Sequence, residues 1–143
     1  MPEITEQEII LNEETERQEF NRWNIVKTDL ELHGRQPKIS QGEIWWSGVG
    51  KNLGSEINGK NERFTRPVLI YRKLGRNKFM AIPLTSKERE GTWYVSFMQS
   101  GKRETAVVAE AKSMSTKRLY RKMGEIDDAD YERIRRGFVN LFG

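Results

Sequence analysis

From residue 42 onward, apolar residues come in short runs with a period of two, each bounded by glycine, proline, asparagine or charge. Such runs predict β-strands, because successive side chains of a strand point to opposite faces. The predicted strands are 42–47, 67–73, 78–84, 92–98 and 105–111, with a short one near 122–125. Residues 68–71 are nearly all apolar, which is typical of a central strand buried on both faces. Six short strands predict a mainly β fold, a small and strongly bent barrel or sandwich.

Helices are predicted at the two ends of the chain. Residues 5–8, Thr-Glu-Gln-Glu, fit a capping box, and Asn12 with its two following glutamates offers a second helix start. His33-Gly34 ends this helix, and residues 35–37 form a linker. One face of the helix carries residues that can dock on a partner surface or cover an open side of the body: Phe20, Trp23, Val26, Lys27 and Leu30.

The C-terminal part is predicted to hold a short helix at 115–120 and a terminal helix capped by Asp127 or Asp128. An apolar stripe on the terminal helix is expected to pack on the barrel: Tyr131, Ile134, Phe138 and Leu141. The longest gap between strands, 48–66, is rich in glycine, asparagine and charge, too polar for a core. We predict a long surface loop there, and such loops usually carry function.

Charge is distributed unevenly along the chain. Residues 1–36 contain 4 Lys or Arg and 9 Asp or Glu, a net charge of −5, whereas residues 37–143 contain 21 and 12, a net charge of +9. We therefore divide the chain into an acidic helical N-terminal extension, 1–36, and a basic barrel domain, 37–143. A basic domain favours the binding of polyanions, because Lys and Arg side chains that contact phosphates release condensed counterions. A merely solvated basic surface is the alternative.

The residues that the chain lacks exclude several kinds of chemistry. Without cysteine there are no disulfides, thiolate nucleophiles or iron–sulfur clusters, and the single histidine, His33, is too few for a two-histidine metal site. Glycine-rich nucleotide-binding motifs are absent, so we expect neither a metal nor a cofactor. No apolar run approaches the ~18 residues that span a bilayer, and the acidic start does not resemble a targeting segment. We expect a soluble, cytoplasmic protein without membrane contact.

Five motifs follow one another along the body: Gly-Glu-Ile-Trp-Trp at 42–46, Leu-Gly-Ser-Glu at 53–56, Arg-Pro-Val-Leu-Ile at 66–70, Ile-Pro-Leu-Thr-Ser at 82–86 and Glu-Ala-Lys-Ser-Met at 110–114. In this order they resemble the MazF/PemK family of toxin endoribonucleases, over residues 40–143. The resemblance implies a small SH3-like, PemK-type bent β-barrel that forms a homodimer. It also implies the toxin of a type II toxin–antitoxin system, an mRNA interferase that cleaves single-stranded RNA without metal or cofactor. The implied partner is an antitoxin with an acidic disordered tail.

The resemblance implies three catalytic residues. Arg66 matches the family's arginine before a proline, Thr85 matches its threonine at the end of the next strand, and Glu56 matches the acid of its loop. The guanidinium of Arg66 is expected to hold and stabilise the scissile phosphate rather than to donate a proton, because the pKa of arginine is above ~12. The hydroxyl of Thr85 can donate to a phosphate oxygen. Glu56 is the candidate base for the ribose 2′-OH.

Other polar side chains are expected to bind RNA, although each alone is equally consistent with a solvated surface: Ser55, Lys51, Lys60, Arg63, Ser86, Lys87, Arg89 and Lys112. Trp45 and Trp46 alternate along one strand, so one belongs to the core. The other is a stacking surface or a dimer contact.

Three departures from the family pattern affect these expectations. The loop between Glu56 and Arg66 is longer than in compact members, so the RNA sequence preference can differ. Ala109-Glu110 stands where many members have Asp-Gln, so Glu110 is a partial substitute for an absent aspartate. The acidic extension is the third, and we hypothesise that it shields the RNA groove. Two alternatives to an endoribonuclease remain open: a non-catalytic nucleic-acid-binding module, and a toxin with a protein target such as a topoisomerase.

Overall fold

Seven strands and two helices make up the chain in the computed structural model, which describes residues 3–143. In chain order they are α1 (Glu6–His33), β1 (Glu43–Gly48), β2 (Thr65–Lys73), β3 (Lys78–Thr85), β4 (Tyr94–Gln99), β5 (Lys102–Val107), β6 (Lys112–Ser115), β7 (Leu119–Glu125) and α2 (Asp128–Phe142). Single 3₁₀ turns, Val108–Glu110 and Thr116–Arg118, flank β6. The prediction of a mainly β fold with a helix at each end is confirmed.

The strands form one curled antiparallel sheet in the order β4-β5-β3-β2-β1-β7, with β6 paired to β3 outside that path. Along one edge of β3, residues Lys78 to Ala81 pair with β6, whereas Leu84 and Thr85 pair with β5. Because β3 changes partners along its length, the sheet bends there into a half-barrel. This bend brings the connection between β5 and β6 close to the start of β2.

Both faces of the central strand are buried, as predicted for residues 68–71. Leu69 and Tyr71 join the cluster beneath α2, whose Tyr131 hydroxyl donates to the Tyr71 carbonyl at 2.7 Å. Val68 and Ile70 face the other way, into the cluster inside the half-barrel. That second cluster also contains Ile39, Trp45, Val49, Phe79, Ala81, Met114 and Leu119. The terminal helix therefore packs on the barrel, as its apolar stripe predicted.

Within the described part of the N-terminal extension, Glu6–His33 form one continuous helix. The predicted capping box is present, since the Thr5 side chain accepts from the Glu8 backbone N–H, and the helix ends at the predicted Gly34 cap. The second start predicted at Asn12 is wrong, because Asn12 lies inside the 28-residue helix. Of the predicted docking face, three residues are buried and pack on Phe64 and Tyr120: Trp23, Val26 and Leu30.

Several predicted boundaries in the second half of the body are wrong. The predicted strand 105–111 is β5, which ends at Val107 because the chain enters a 3₁₀ turn that still buries Val108. β6 was not predicted, since its sequence Lys-Ser-Met-Ser buries only Met114. The predicted helix 115–120 is a three-residue 3₁₀ turn, and the last strand begins at Leu119 rather than near 122. The sheet therefore has seven strands instead of six.

Candidate active site

Arg66 and Thr85 lie on the same face of the sheet at one end of two neighbouring strands. Arg66 is the second residue of β2, and Thr85 is the last residue of β3. The antiparallel register pairs Val68 of β2 with Pro83 of β3. Arg66 lies two residues before Val68, and Thr85 lies two residues after Pro83. Side chains two residues apart share a face of a strand. The structure therefore brings these two predicted residues together.

Backbone carbonyls hold the Arg66 guanidinium in place. Its Nε donates to the Asn58 carbonyl at 2.8 Å, and its Nη1 donates to the Leu84 carbonyl at 3.2 Å. The residue is 9% exposed, and burial lowers the pKa of Arg66 while the charge of nearby Glu110 opposes that shift. A guanidinium has five N–H donors, so three remain for another acceptor. A fixed and partly desolvated cation of this shape suits a phosphate.

The Thr85 hydroxyl is also fixed. Thr85 is 8% exposed, and its Oγ1 accepts from the Lys87 backbone N–H at 3.3 Å. A hydroxyl that accepts through a lone pair keeps its own proton to donate. That proton is available for an anion held beside Arg66.

A groove of about 340 Å³ opens between the β1–β2 loop and the turn before β6. Its lining includes Asn52, Glu56, Ile57, Pro83, Glu110 and Lys112. Pro83, which lines the groove, lies on the same face as Arg66 and Thr85, and the charge of Glu110, another lining residue, acts on Arg66. The loop holds its own shape here, because the Asn52 side chain donates to the Ile57 carbonyl at 2.8 Å.

Two carboxylates line this groove in different ways. Glu56 is exposed and accepts from the Leu53 backbone N–H at 2.9 Å, which closes a turn within the loop. Glu110 is half-buried and accepts from the Ile57 backbone N–H at 2.6 Å, which ties the 3₁₀ turn to the loop. The sequence indicated Glu110 only as a replacement for a family aspartate. Its contact with a residue 53 positions away follows from the bend of the sheet.

The basic end of the groove is Lys112. Desolvation lowers the pKa of Lys112, Arg118 lowers it further, and the carboxylates of Glu56 and Glu110 act in the opposite direction. The groove thus combines one ammonium with two carboxylates, one of which, Glu110, acts on the buried guanidinium of Arg66. Charges of both signs in one groove suit a reaction that must bind an anion and move a proton.

The side chains predicted to bind RNA have three different environments. Lys51 is paired with Glu16 and Glu19 of α1, and Arg63 is paired with Asp29. Lys112 lies in the groove. The other members of the predicted set are exposed around the loop and beyond the end of β3: Ser55, Lys60, Ser86, Lys87 and Arg89. Lys51 and Arg63 therefore contact the N-terminal helix instead of an open path.

The two adjacent tryptophans separate as their alternation predicted. Trp45 is in the core cluster, and its indole N–H donates to the Glu43 carboxylate at 3.0 Å. Trp46 is half-buried on the other face of β1.

Sequence reasoning missed Arg118, which contacts the start of the β1–β2 loop. Its Nη1 donates to the Gly48 carbonyl at 2.9 Å, and its guanidinium lies over the Trp23 ring. Burial lowers the pKa of Arg118. A basic residue inside the predicted short helix 115–120 gave no signal that distinguished it from a surface arginine.

Within residues 3–143, no three His, Asp or Glu side chains are grouped so that they could hold a metal ion. Across the same residues, neither helix has the length and apolar character that a bilayer span requires.

Comparisons with known proteins agree with this architecture. A family profile described as PemK-like, MazF-like toxin of type II toxin–antitoxin system matches residues 40–142. No curated protein sequence matches the chain significantly. The crystal structure of MazF from Deinococcus radiodurans superimposes with a TM-score of 0.63 at 18% identity, covering 75% of this chain and 98% of that one.

Two solved complexes have the same fold. An endoribonuclease in complex with its cognate antitoxin, from a mycobacterial species, superimposes with a TM-score of 0.56 at 17% identity, covering 73% of this chain and 95% of that one. The MazE–MazF complex from Deinococcus radiodurans superimposes with a TM-score of 0.57 at 16% identity, covering 75% and 97%. The profile match spans the whole sheet and α2, including Arg66, Thr85 and the groove. The chain belongs to the PemK-like, MazF-like toxins of type II toxin–antitoxin systems.

Proposed function

We propose that this toxin is a metal-independent endoribonuclease that cleaves single-stranded RNA, with mRNA as its cellular substrate. The observation that carries the proposal is the placement of the Arg66 guanidinium and the Thr85 hydroxyl on one face, beside a groove with two carboxylates. The mycobacterial structure of the same fold is named as an endoribonuclease, which supports the reaction class.

In the proposed reaction the substrate supplies the nucleophile. The ribose 2′-oxygen forms a bond to phosphorus, the bond from phosphorus to the 5′-oxygen breaks, and the 2′-OH proton passes to a carboxylate. The departing 5′-oxygen takes up a proton from solvent or from a group of the groove. The enzyme then needs to align the nucleophile, neutralise the phosphate and accept a proton.

Each site residue has a proposed role. Arg66 holds the phosphate and stabilises its growing charge through its remaining N–H donors, and Thr85 donates to a phosphate oxygen. We assign the general base to Glu110, because its charge acts on Arg66 and its carboxylate is held by the Ile57 backbone N–H. Glu56, the base expected from the sequence, is turned toward Leu53 in its own loop.

The remaining partners are proposed by analogy with the solved relatives. Both complexes of this fold pair a toxin with its antitoxin, so we propose a cognate antitoxin with an acidic disordered tail for this chain. An acidic tail is complementary to the net charge of +9 on residues 37–143. We further propose a homodimer that acts in the cytoplasm.

The test is incubation of the purified full chain with single-stranded RNA of mixed sequence in EDTA, beside Arg66→Ala and Thr85→Val. We expect cleavage that resists the chelator and is lost in both variants. RNA binding without cleavage would select the non-catalytic module. Growth arrest by the wild-type chain with neither binding nor cleavage would select a protein target.

A further inference from the structure

Three cations on one side of the body are paired with carboxylates of α1. Lys51 Nζ lies 3.0 Å from both the Glu16 and Glu19 carboxylates, and its side chain is only 13% exposed. Arg63 Nη2 lies 3.2 Å from the Asp29 carboxylate. Further along the helix, Lys117 Nζ lies 3.3 Å from the Glu31 carboxylate.

Apolar contacts fix the helix over these cations. Trp23 packs edge-on against Phe64, with ring centroids 5.9 Å apart, and Val26 and Leu30 complete the buried patch. Trp23 also lies against Gly50, where an added Cβ would be 2.5 Å from the indole ring. Glycine is therefore required at this approach. The helix position is set by packing, so its carboxylates are held near Lys51 and Arg63.

Two of the three paired cations, Lys51 and Arg63, belong to the loop that borders the candidate groove. Lys51 stands directly before Asn52, a groove residue, and Arg63 stands three positions before Arg66. The groove itself is lined by the body alone, since α1 supplies none of its lining residues. The helix thus leaves the reacting groups accessible and neutralises the cations beside them.

We propose that α1 is an intramolecular competitor of RNA for these loop cations, with Glu16, Glu19 and Asp29 occupying the positions that substrate phosphates would take. The inference deepens the proposed function and rests on it for the identity of the polyanion. RNA binding then requires Lys51 and Arg63 to exchange carboxylates for phosphates while the helix stays docked. The helix weakens RNA affinity without blocking the active site.

The test compares two full-length triple variants of equal charge. Glu16→Gln/Glu19→Gln/Asp29→Asn removes the carboxylates that contact Lys51 and Arg63. Glu3→Gln/Glu6→Gln/Glu13→Gln removes three charges from the same extension, at exposed residues that make no ion pair with the body in the described part of the chain. The probe is a fluorescent single-stranded 2′-O-methyl RNA, which lacks the nucleophile and is not cleaved. Affinity is measured by anisotropy at several salt concentrations.

The expected result is tighter binding by the first variant than by the control, by about tenfold at low salt. Each newly available phosphate contact steepens the log–log salt slope by about 0.7 for a single strand, so two freed cations give about 1.4. Equal slopes and affinities for the two variants would overturn the inference, because the effect would then be net charge alone. Weaker binding by the first variant, or no binding by any form, would overturn it too.

Cleavage of unmodified RNA in EDTA separates this inference from the proposed function. If the wild-type chain cleaves and the two triple variants behave alike, the competitor role is wrong and the enzyme stands. If no form cleaves but the salt slopes differ as expected, the enzyme proposal is wrong and the competition stands.

Discussion

The Arg66 guanidinium donates a hydrogen bond from Nη1 to the carbonyl of Leu84 at 3.2 Å. Leu84 is the residue before Thr85, so this bond fixes a cation of β2 beside a hydroxyl of β3. The second bond, to Asn58, ties the same guanidinium to the loop. One side chain therefore contacts both the neighbouring strand β3 and the loop that forms the groove wall.

Arg66→Lys is expected to lower the RNA cleavage rate by about 100-fold or more while the fold is retained. Lysine keeps the positive charge. It loses the planar guanidinium, which can bond Asn58 and Leu84 and at the same time donate to a phosphate. The measurement is the single-turnover cleavage rate. The matched control is Arg76→Lys, since Arg76 is exposed in the turn at the opposite end of β2 and β3. Equal rates for the two variants would show that only charge is needed at Arg66.

Glu110→Gln is expected to reduce the single-turnover RNA cleavage rate by about 100-fold or more. The amide oxygen can still accept from the Ile57 N–H, so the loop keeps its position and only the base is lost. Glu56→Gln is the comparison, and we expect it to cleave RNA at close to the wild-type rate. A loss of cleavage in Glu56→Gln with a near wild-type rate in Glu110→Gln would assign the general base to Glu56 instead.

Gly50→Ala is expected to reduce the free energy of unfolding by about 2–4 kcal/mol, because a side chain there is strained and collides with Trp23. Gly50 has a φ of +98°, and the new Cβ would lie 2.5 Å from the indole. Gly54 has a φ of +52° with no atom within 4 Å, so Gly54→Ala is expected to cost only about 1 kcal/mol. Denaturant unfolding measures both. Similar losses of unfolding free energy in the two variants would mean that Trp23 does not pack against Gly50.

Glu43→Gln is expected to change how stability depends on pH. Burial alone would raise the pKa of Glu43, but the Ser40 N–H, the Trp45 indole and Lys122 together lower it below its ordinary 4.5. The carboxylate therefore stabilises the fold above about pH 4.5, and this contribution is lost as the pH falls through the lower folded-state pKa.

Unfolding free energies at pH 7 and at acid pH check this prediction. Glu43→Gln should be less stable than wild type by about 1 kcal/mol at pH 7, and the difference should shrink at low pH. Glu62→Gln, at an exposed loop position, is the control. A difference that stays constant with pH would contradict the assignment.

The parts of the fold that the sequence predicted are those with strong apolar patterns. Residues 68–71 and the apolar stripe of α2 were predicted because each is an apolar pattern within a single element, and both are part of the core. β6 was missed because only Met114 of its four residues is buried. Backbone pairing with β3, rather than an apolar pattern of its own, makes this segment a strand. The predicted strand 105–111 ran past the end of β5 because Val108, which is buried in a 3₁₀ turn, has the apolar character of a strand residue.

The candidate site was predictable only in part, for a similar reason. The family motifs indicated Arg66 and Thr85, and the register of β2 and β3 brings them together. The contact between Glu110 and Ile57 depends on the bend at β3, which no local pattern encodes. The pairing of Lys51 with Glu16 and Glu19 likewise depends on where Trp23 docks.

A double-mutant cycle of Arg66→Ala and Thr85→Val, read as single-turnover RNA cleavage in EDTA, tests most directly whether the two side chains act on one phosphodiester. Groups that act together on one transition state are non-additive. We predict that each single variant loses most activity and that the double variant loses at least about tenfold less than the product of the two single losses, a coupling of about 1.4 kcal/mol. Losses that simply multiply, or a wild-type rate in Thr85→Val, would contradict the account.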